Sequence, residues 1–114
     1  MRGLPVLLLT TTGRRTGQRR TRPVGYLPHG DRFVVCGSNG GSDRFPAWAL
    51  NLRHHPNAVV ELGARTVSVT AVEVTGAEYE NIWEMYVARY PSFAGYRKKT
   101  TRQLPLFILS EAAG

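Results

Sequence analysis

Apolar residues in this chain come in short runs broken by glycine, proline and arginine. Leu4 to Thr12 is aliphatic and β-branched, which predicts a strand with a buried middle. Gly13 to Gly17 then predicts a turn, because glycine takes positive φ at little cost. Gln18 to Leu27 alternates loosely and predicts a second strand. Pro23 cannot donate to a ladder, so that strand is an edge or bends there. Pro28 to Asp31 signals a hairpin ahead of a third strand, Arg32 to Gly37. Ser38 to Asp43 reads as a loop.

A short helix follows, with Pro46 in its first turn, Ser42 or Asp43 as cap, apolar positions at Trp48, Leu50 and Leu52, and a stop at Pro56. Asn57 to Leu62 and Arg65 to Val74 predict a hairpin around Gly63 and Ala64. Val67, Val69 and Ala71 fall on one face of it, with Ser68 and Thr70 on the other. The clearest helix runs from about Ala77 to Arg89. Tyr79, Ile82, Trp83, Tyr86, Val87 and Tyr90 form one apolar stripe, and Glu78, Glu80 and Glu84 lie opposite. Thr75 with Glu78 suggests a capping box, and Pro91 ends the helix. Ser92 to Gln103 is polar, aromatic and basic, and Leu104 to Leu109 predicts the last strand. Six strands, one long helix and one short one imply an α+β fold built on a small β-barrel.

A length of 114 residues is enough for one domain with a single core. The net charge of +7 changes this picture, because thirteen arginines against two lysines supply it. Arginine's planar fork suits bidentate contacts to phosphate or carboxylate. Met1 to Gly30 holds six arginines and no carboxylate, and five of them lie between Thr10 and Pro23. So one-sided a field repels itself unless it holds an anion. Backbone N–H groups in the Gly13–Gly17 turn can form an anion-binding concavity beside the hydroxyls of Thr10 to Thr12. A solvated basic loop is the alternative. Arg97, Lys98, Lys99 and Arg102 form a second basic cluster, read as solvated surface that could join the first in space.

Other chemistries find little support. The turn lacks P-loop spacing, and no G-x-G-x-x-G follows a strand. No metal site is expected. His54 and His55 are adjacent, so their side chains should diverge, and Cys36 with His29 gives no zinc spacing. No Ser/His/Asp set is legible. A single cysteine rules out an internal disulfide and fits a reducing compartment. The apolar run Pro5 to Leu9 is too short to span a bilayer. The expectation is a cytoplasmic, anion-binding protein. A nucleic-acid-binding barrel would need aromatics alternating with basic residues along exposed strands; here the strands are aliphatic and four aromatics share one helix stripe.

Five motifs occur in order: L-L-T-T-T-G-R-R-T-G-Q-x-R (Leu8 to Arg20), P-V-G-Y-L, V-V-C-G-S-N-G-G (Val34 to Gly41), P-A-W-A-L-N-L (Pro46 to Leu52) and Y-P-S-F-A-G-Y (Tyr90 to Tyr96). Together they resemble the deazaflavin-dependent nitroreductase and quinone reductase family of actinobacteria, over nearly the whole chain. The resemblance implies a split β-barrel of flavin-reductase type over residues 1–114, with reduced coenzyme F420 as hydride donor. FMN is the alternative cofactor for this barrel class. It implies quinone, nitro or activated enone acceptors, at most peripheral attachment to the inner face of the plasma membrane, and an oligomeric state, such as a homodimer, that it leaves open. The F420 tail, a phospholactyl group followed by oligoglutamate, is polyanionic. By motif, Arg14, Arg15 and Thr16 would hold phosphate and tail, and Arg20, Thr21, Arg22, Pro23, Val24 and Gly25 would line the same groove. Cys36, Gly37, Ser38 and Asn39 would meet the ring through backbone groups. Ala47, Trp48, Ala49, Leu50 and Asn51 would complete the pocket, and Tyr96 would be the catalytic residue on the acceptor side. Phe93 stands where the nitroimidazole-activating relative has tyrosine, and Gly25 and Ala49 are small where it has larger residues. Acceptor preference is therefore not carried over.

Overall fold

The structure, a computed structural model of the chain, describes residues 5–38, 45–99 and 103–112. Its strands are β1 (Val6–Thr12), β2 (Arg19–Gly25), β3 (Leu27–His29), β4 (Arg32–Cys36), β5 (Asn57–Leu62), β6 (Arg65–Glu73) and β7 (Leu106–Glu111). Its helices are α1 (Ala47–His54), α2 (Gly76–Arg89) and α3 (Ser92–Lys99). All seven strands form one antiparallel sheet in the order β2-β1-β5-β6-β7-β4-β3.

That order explains the barrel. β2 and β3 follow each other through Tyr26 alone, yet occupy opposite ends of the sheet. A single-residue link can join the two ends only if the sheet curls until they meet. The expected second strand, Gln18 to Leu27, is therefore two strands with a corner between them, which raises the count from six to seven. Tyr26 is held at that corner: its N–H donates to the Pro5 carbonyl (3.0 Å) and its carbonyl accepts from the Tyr90 hydroxyl (2.9 Å). Pro23 faces Leu8 on β2, which pairs with β1 only, so the expected edge position holds.

Two apolar clusters result. Inside the curl, Leu7, Leu9, Val24, Phe33, Val35, Val60, Val67, Val69, Phe107 and Leu109 form the barrel core, capped by Ala49 and Leu52 of α1. Outside it, Val34, Cys36, Leu106 and Ile108 meet Tyr79, Ile82, Trp83 and Tyr86 of α2 and Phe93 of α3. β4 and β7 are thus apolar on both faces, as their unbroken V-V-C and L-F-I-L runs require. The α2 stripe is buried as expected, except that Val87 packs only partly against the cluster, as does Tyr96 of α3. Val67, Val69 and Ala71 point inward with Ser68 exposed, also as the alternation requires.

Several local details differ from the sequence reading. Thr75 is the N-cap of α2 but makes no side-chain bond, so there is no capping box; Gly76, at φ +62°, turns the chain into the helix instead. α1 starts after Pro46, buries Ala49, Asn51 and Leu52, and leaves Trp48 and Leu50 half-buried. Its suggested caps Ser42 and Asp43 lie outside the described residues, as do Leu4 and Arg102. His54 and His55 do not diverge: their rings meet edge to face with centroids 4.8 Å apart. Ser92 to Lys99 is a third helix, folded onto α2 by Phe93 and by stacking of Arg97 over Trp83 at 4.9 Å.

Candidate functional site

The arginine turn is built by its glycines. The β1–β2 ladder runs to Thr12 opposite Arg19, leaving residues 13–18 to reverse the chain. Gly13 N–H donates to the Gln18 carbonyl (2.7 Å), Gly17 N–H to the Gly13 carbonyl (2.9 Å), and Gln18 N–H to Thr16 Oγ1 (3.2 Å). Gly17 takes φ +74°, a conformation side chains resist. A Cβ on Gly13 would come within 3.0 Å of Thr16 Oγ1. The turn is thus a closed backbone ring.

Asn51 of α1 fixes that ring to the barrel. Its side chain is 4% exposed; Oδ1 accepts from Arg14 N–H (3.1 Å) and Nδ2 donates to Thr11 Oγ1 (3.0 Å). Gly13, Arg14, Arg15, Thr16, Arg20, Ala47 and Asn51 then line a cleft of about 220 Å³. Among the described residues no carboxylate lines it. Among the described residues the ion pairs are Arg53–Glu73 and Arg97–Glu80, and neither involves the turn. The Arg53 guanidinium is held charged above its usual range by hydrogen bonds of 2.8 Å to both Glu73 oxygens. Arg14, Arg15 and Arg20 have no such partner among the described residues, and all three line the cleft.

The structure brings some expected residues together and separates others. Strand alternation puts Arg20, Arg22 and Val24 on the inward face of β2, with Val24 in the core, while Thr21 and Pro23 face outward and Gly25 ends the strand. Thr21 Oγ1 bonds Thr10 Oγ1 (2.6 Å) on that outer face. Cys36 packs its side chain into the outer cluster, leaving only its backbone for a ligand. Gly37 N–H donates to the Pro105 carbonyl (2.8 Å), and a Cβ there would lie 3.3 Å from that of Ala49. Gly37 therefore packs between Pro105 and α1, and Ser38 next to it is buried. Asn39 lies outside the described residues. Trp48 packs on the barrel core with its ring edge toward Phe107 (6.3 Å). Tyr96 lies on α3, half-buried, its ring edge-on to Phe93 at 5.0 Å. Neither it nor Arg97, Lys98 and Lys99 lines the arginine cleft. Arg97 instead pairs with Glu80, so this second cluster is surface.

Thr11, expected only as one of three hydroxyls beside the turn, is the one that ties β1 to Asn51. It is 1% exposed and accepts the Asn51 bond. The signal was its inward register two residues after Leu9.

Residues 1–111 match the model of the F420H(2)-dependent quinone reductase family. The chain belongs to that family. It is 32% identical over 109 residues to an F420H(2)-dependent quinone reductase of Mycobacterium tuberculosis, covering 93% of this chain and 73% of that one. A solved F420-H2 dependent reductase superposes with a TM-score of 0.83 at 34% identity, covering 93% of this chain and 94% of the other. Another solved chain, described as a domain-swapped dimer, gives a TM-score of 0.84 at 34% identity over 93% of this chain and 80% of that one. The protein is thus an oxidoreductase of split-barrel fold whose hydride donor is reduced coenzyme F420.

The cleft fits the anionic end of that cofactor. Three arginines with no carboxylate partner among the described residues line a space that a phosphate or glutamate can enter, and Ala47 adds little bulk to its wall. An anion there would form charge-assisted bonds to guanidinium groups that otherwise repel one another.

Proposed function

We propose that residues 1–114 act as one F420-binding domain that reduces a quinone, and that nitro compounds and activated enones are further acceptors. The observation carrying this reading is the cleft where Arg14, Arg15 and Arg20 meet the start of α1 with no carboxylate among its described lining. Arg14, Arg15, Thr16 and Arg20 hold phosphate and tail. Gly37 is glycine because Pro105 and Ala49 pack against it, and the backbone of Gly37 and Ser38 meets the ring from the side left open. Bound there, reduced F420 supplies a hydride from C5 of its deazaflavin ring. The Tyr96 hydroxyl offers a hydrogen bond or proton to the reduced acceptor. The protein's part is binding, orientation and charge.

Among the described residues no helix is long and apolar enough to cross a membrane. We place the enzyme in the cytoplasm, meeting lipid-borne quinone at the inner membrane face, and the structural relative described as a domain-swapped dimer supports a homodimer. The test is titration with F420 and with FMN, followed by assay of F420H2 oxidation with menaquinone, a nitroimidazole and an enone. Tight F420 binding with quinone turnover supports the reading; binding of FMN in preference to F420 overturns it.

A further inference from the structure

Strand alternation divides the arginines of the basic segment between two faces. Arg20 points inward to the cleft described above, whereas Arg19, opposite Thr12, points outward. There it borders a separate cleft of about 270 Å³, lined by Thr12, Arg19, Asn57, Val59, Ser68 and Ala112 with two neighbours. The ladders explain the meeting. Thr12 pairs with Arg19 across β1 and β2, Thr10 with Val59 across β1 and β5, and Val59 with Ser68 across β5 and β6. α2 and α3 cover β4 and β7 and leave this part of the sheet bare.

The cleft has the donors of a carboxylate site. Arg19 is a guanidinium with no ion pair among the described residues, Thr12 and Ser68 bring hydroxyls, and Asn57 brings an amide. Among the described residues no carboxylate lines it; Glu61, two residues beyond Val59 on the same face of β5, is the acid on that strand. The two clefts share neighbouring residues at the end of the β1–β2 ladder: Thr12 and Arg19 line the outer one, Gly13 and Arg20 the inner one.

The geometry points to a second carboxylate subsite at Arg19, occupied by the distal glutamates of the cofactor tail after they pass over the rim of the turn. This rests on the F420 reading above and extends it. Once the proximal tail is bound at Arg14, Arg15 and Arg20, the distal carboxylates reach the outer cleft at high effective concentration, so even a weak exposed contact adds affinity.

The test compares F420 carrying a single glutamate with F420 carrying a long tail, by fluorescence titration at low salt. Wild type should bind the long-tailed form about two- to fivefold tighter, the range of one exposed charge contact. Arg19→Ala should abolish that difference while leaving single-glutamate affinity unchanged. Arg65→Ala, which removes an equal charge at the β5–β6 turn, should preserve it. A uniform loss at all tail lengths in Arg19→Ala, or no loss, overturns the proposal. Free oligoglutamate provides a separate readout by NMR, and should shift the Arg19 side-chain and Asn57 and Ser68 amide resonances. An absence of shifts counts against the subsite. Glutarate shifting them as strongly as oligoglutamate overturns assignment to the tail. Failure of wild type to bind F420 of any length would reject the cofactor reading, and the oligoglutamate titration would still decide the cleft.

Discussion

Replacing Asn51 with alanine removes both ties between α1 and the arginine turn. The Arg14 N–H and the Thr11 hydroxyl, bonded at 3.1 and 3.0 Å, each lose their partner. Each bond contributes about 1 kcal/mol net, and a buried group left unpaired costs about 1–3 kcal/mol. Thr11 is fully buried, but Arg14 is half-buried and water can reach it, so the estimate stays near 2–4 kcal/mol. Urea unfolding should show the midpoint falling with an unchanged m-value. F420 titration should show weaker binding, because the released turn must be ordered by the ligand. Asn51→Asp separates the two effects. Its carboxylate still accepts from Arg14 N–H, and the Thr11 hydroxyl can rotate to donate, so stability should fall less than in Asn51→Ala. It also places a negative charge in the cleft; at roughly 6–8 Å and intermediate dielectric that repels an incoming anion by about 1 kcal/mol, or severalfold in Kd. An alanine variant with wild-type unfolding midpoint and wild-type F420 affinity would refute the latch.

Arg14→Ala with Arg15→Ala should raise the F420 dissociation constant at least tenfold, taking a charge-assisted contact as about 1.5–3 kcal/mol, and should flatten its salt dependence; unaltered binding removes the tail-anchor role. Tyr96→Phe should lower kcat with a quinone while leaving the F420 dissociation constant in place, and equal turnover with every acceptor would eliminate its proton role. Burial raises the Tyr86 hydroxyl above its ordinary ionisation range, and Tyr90 is raised by burial too. A raised folded-state value means stability is intact below the unfolded tyrosine value near 10 and is lost as pH rises beyond it, by about 1.4 kcal/mol per pH unit for each tyrosine. The Tyr86 hydroxyl has no hydrogen bond among the described residues, so Tyr86→Phe should change neutral-pH stability by under about 1 kcal/mol and make the alkaline fall shallower. Thermal melts from pH 7 to 11 check both; an unchanged alkaline limb contradicts the burial argument.

What was legible in the sequence had local causes. The α2 stripe, the Gly63 hairpin and the arginine turn are each set by residues a few positions apart. The corner at Tyr26 was not legible, because it exists only once β2 finds β1 and β3 finds β4. α3 was missed for want of an apolar stripe: it buries only Phe93, carries Gly95 inside, and is held by α2. The role of Asn51 depends on contacts 37 and 40 residues away, which no spacing reveals. The division between Arg19 and Arg20 was available from alternation alone, once their stretch is taken as strand rather than turn.

β2 also bears on how the protein stays apart from its own copies. It is a sheet edge with a row of backbone groups facing no partner strand, and such edges invite another chain to add a strand. Arg19, Arg20, Arg22 and Pro23, all exposed, occupy that edge. Two copies approaching edge to edge would bring like charges together and meet a proline that cannot donate. The same arginines that face an anion thus act as gatekeepers against strand addition at this one edge, and a bound polyanion that neutralises some of them leaves Pro23 as the remaining guard.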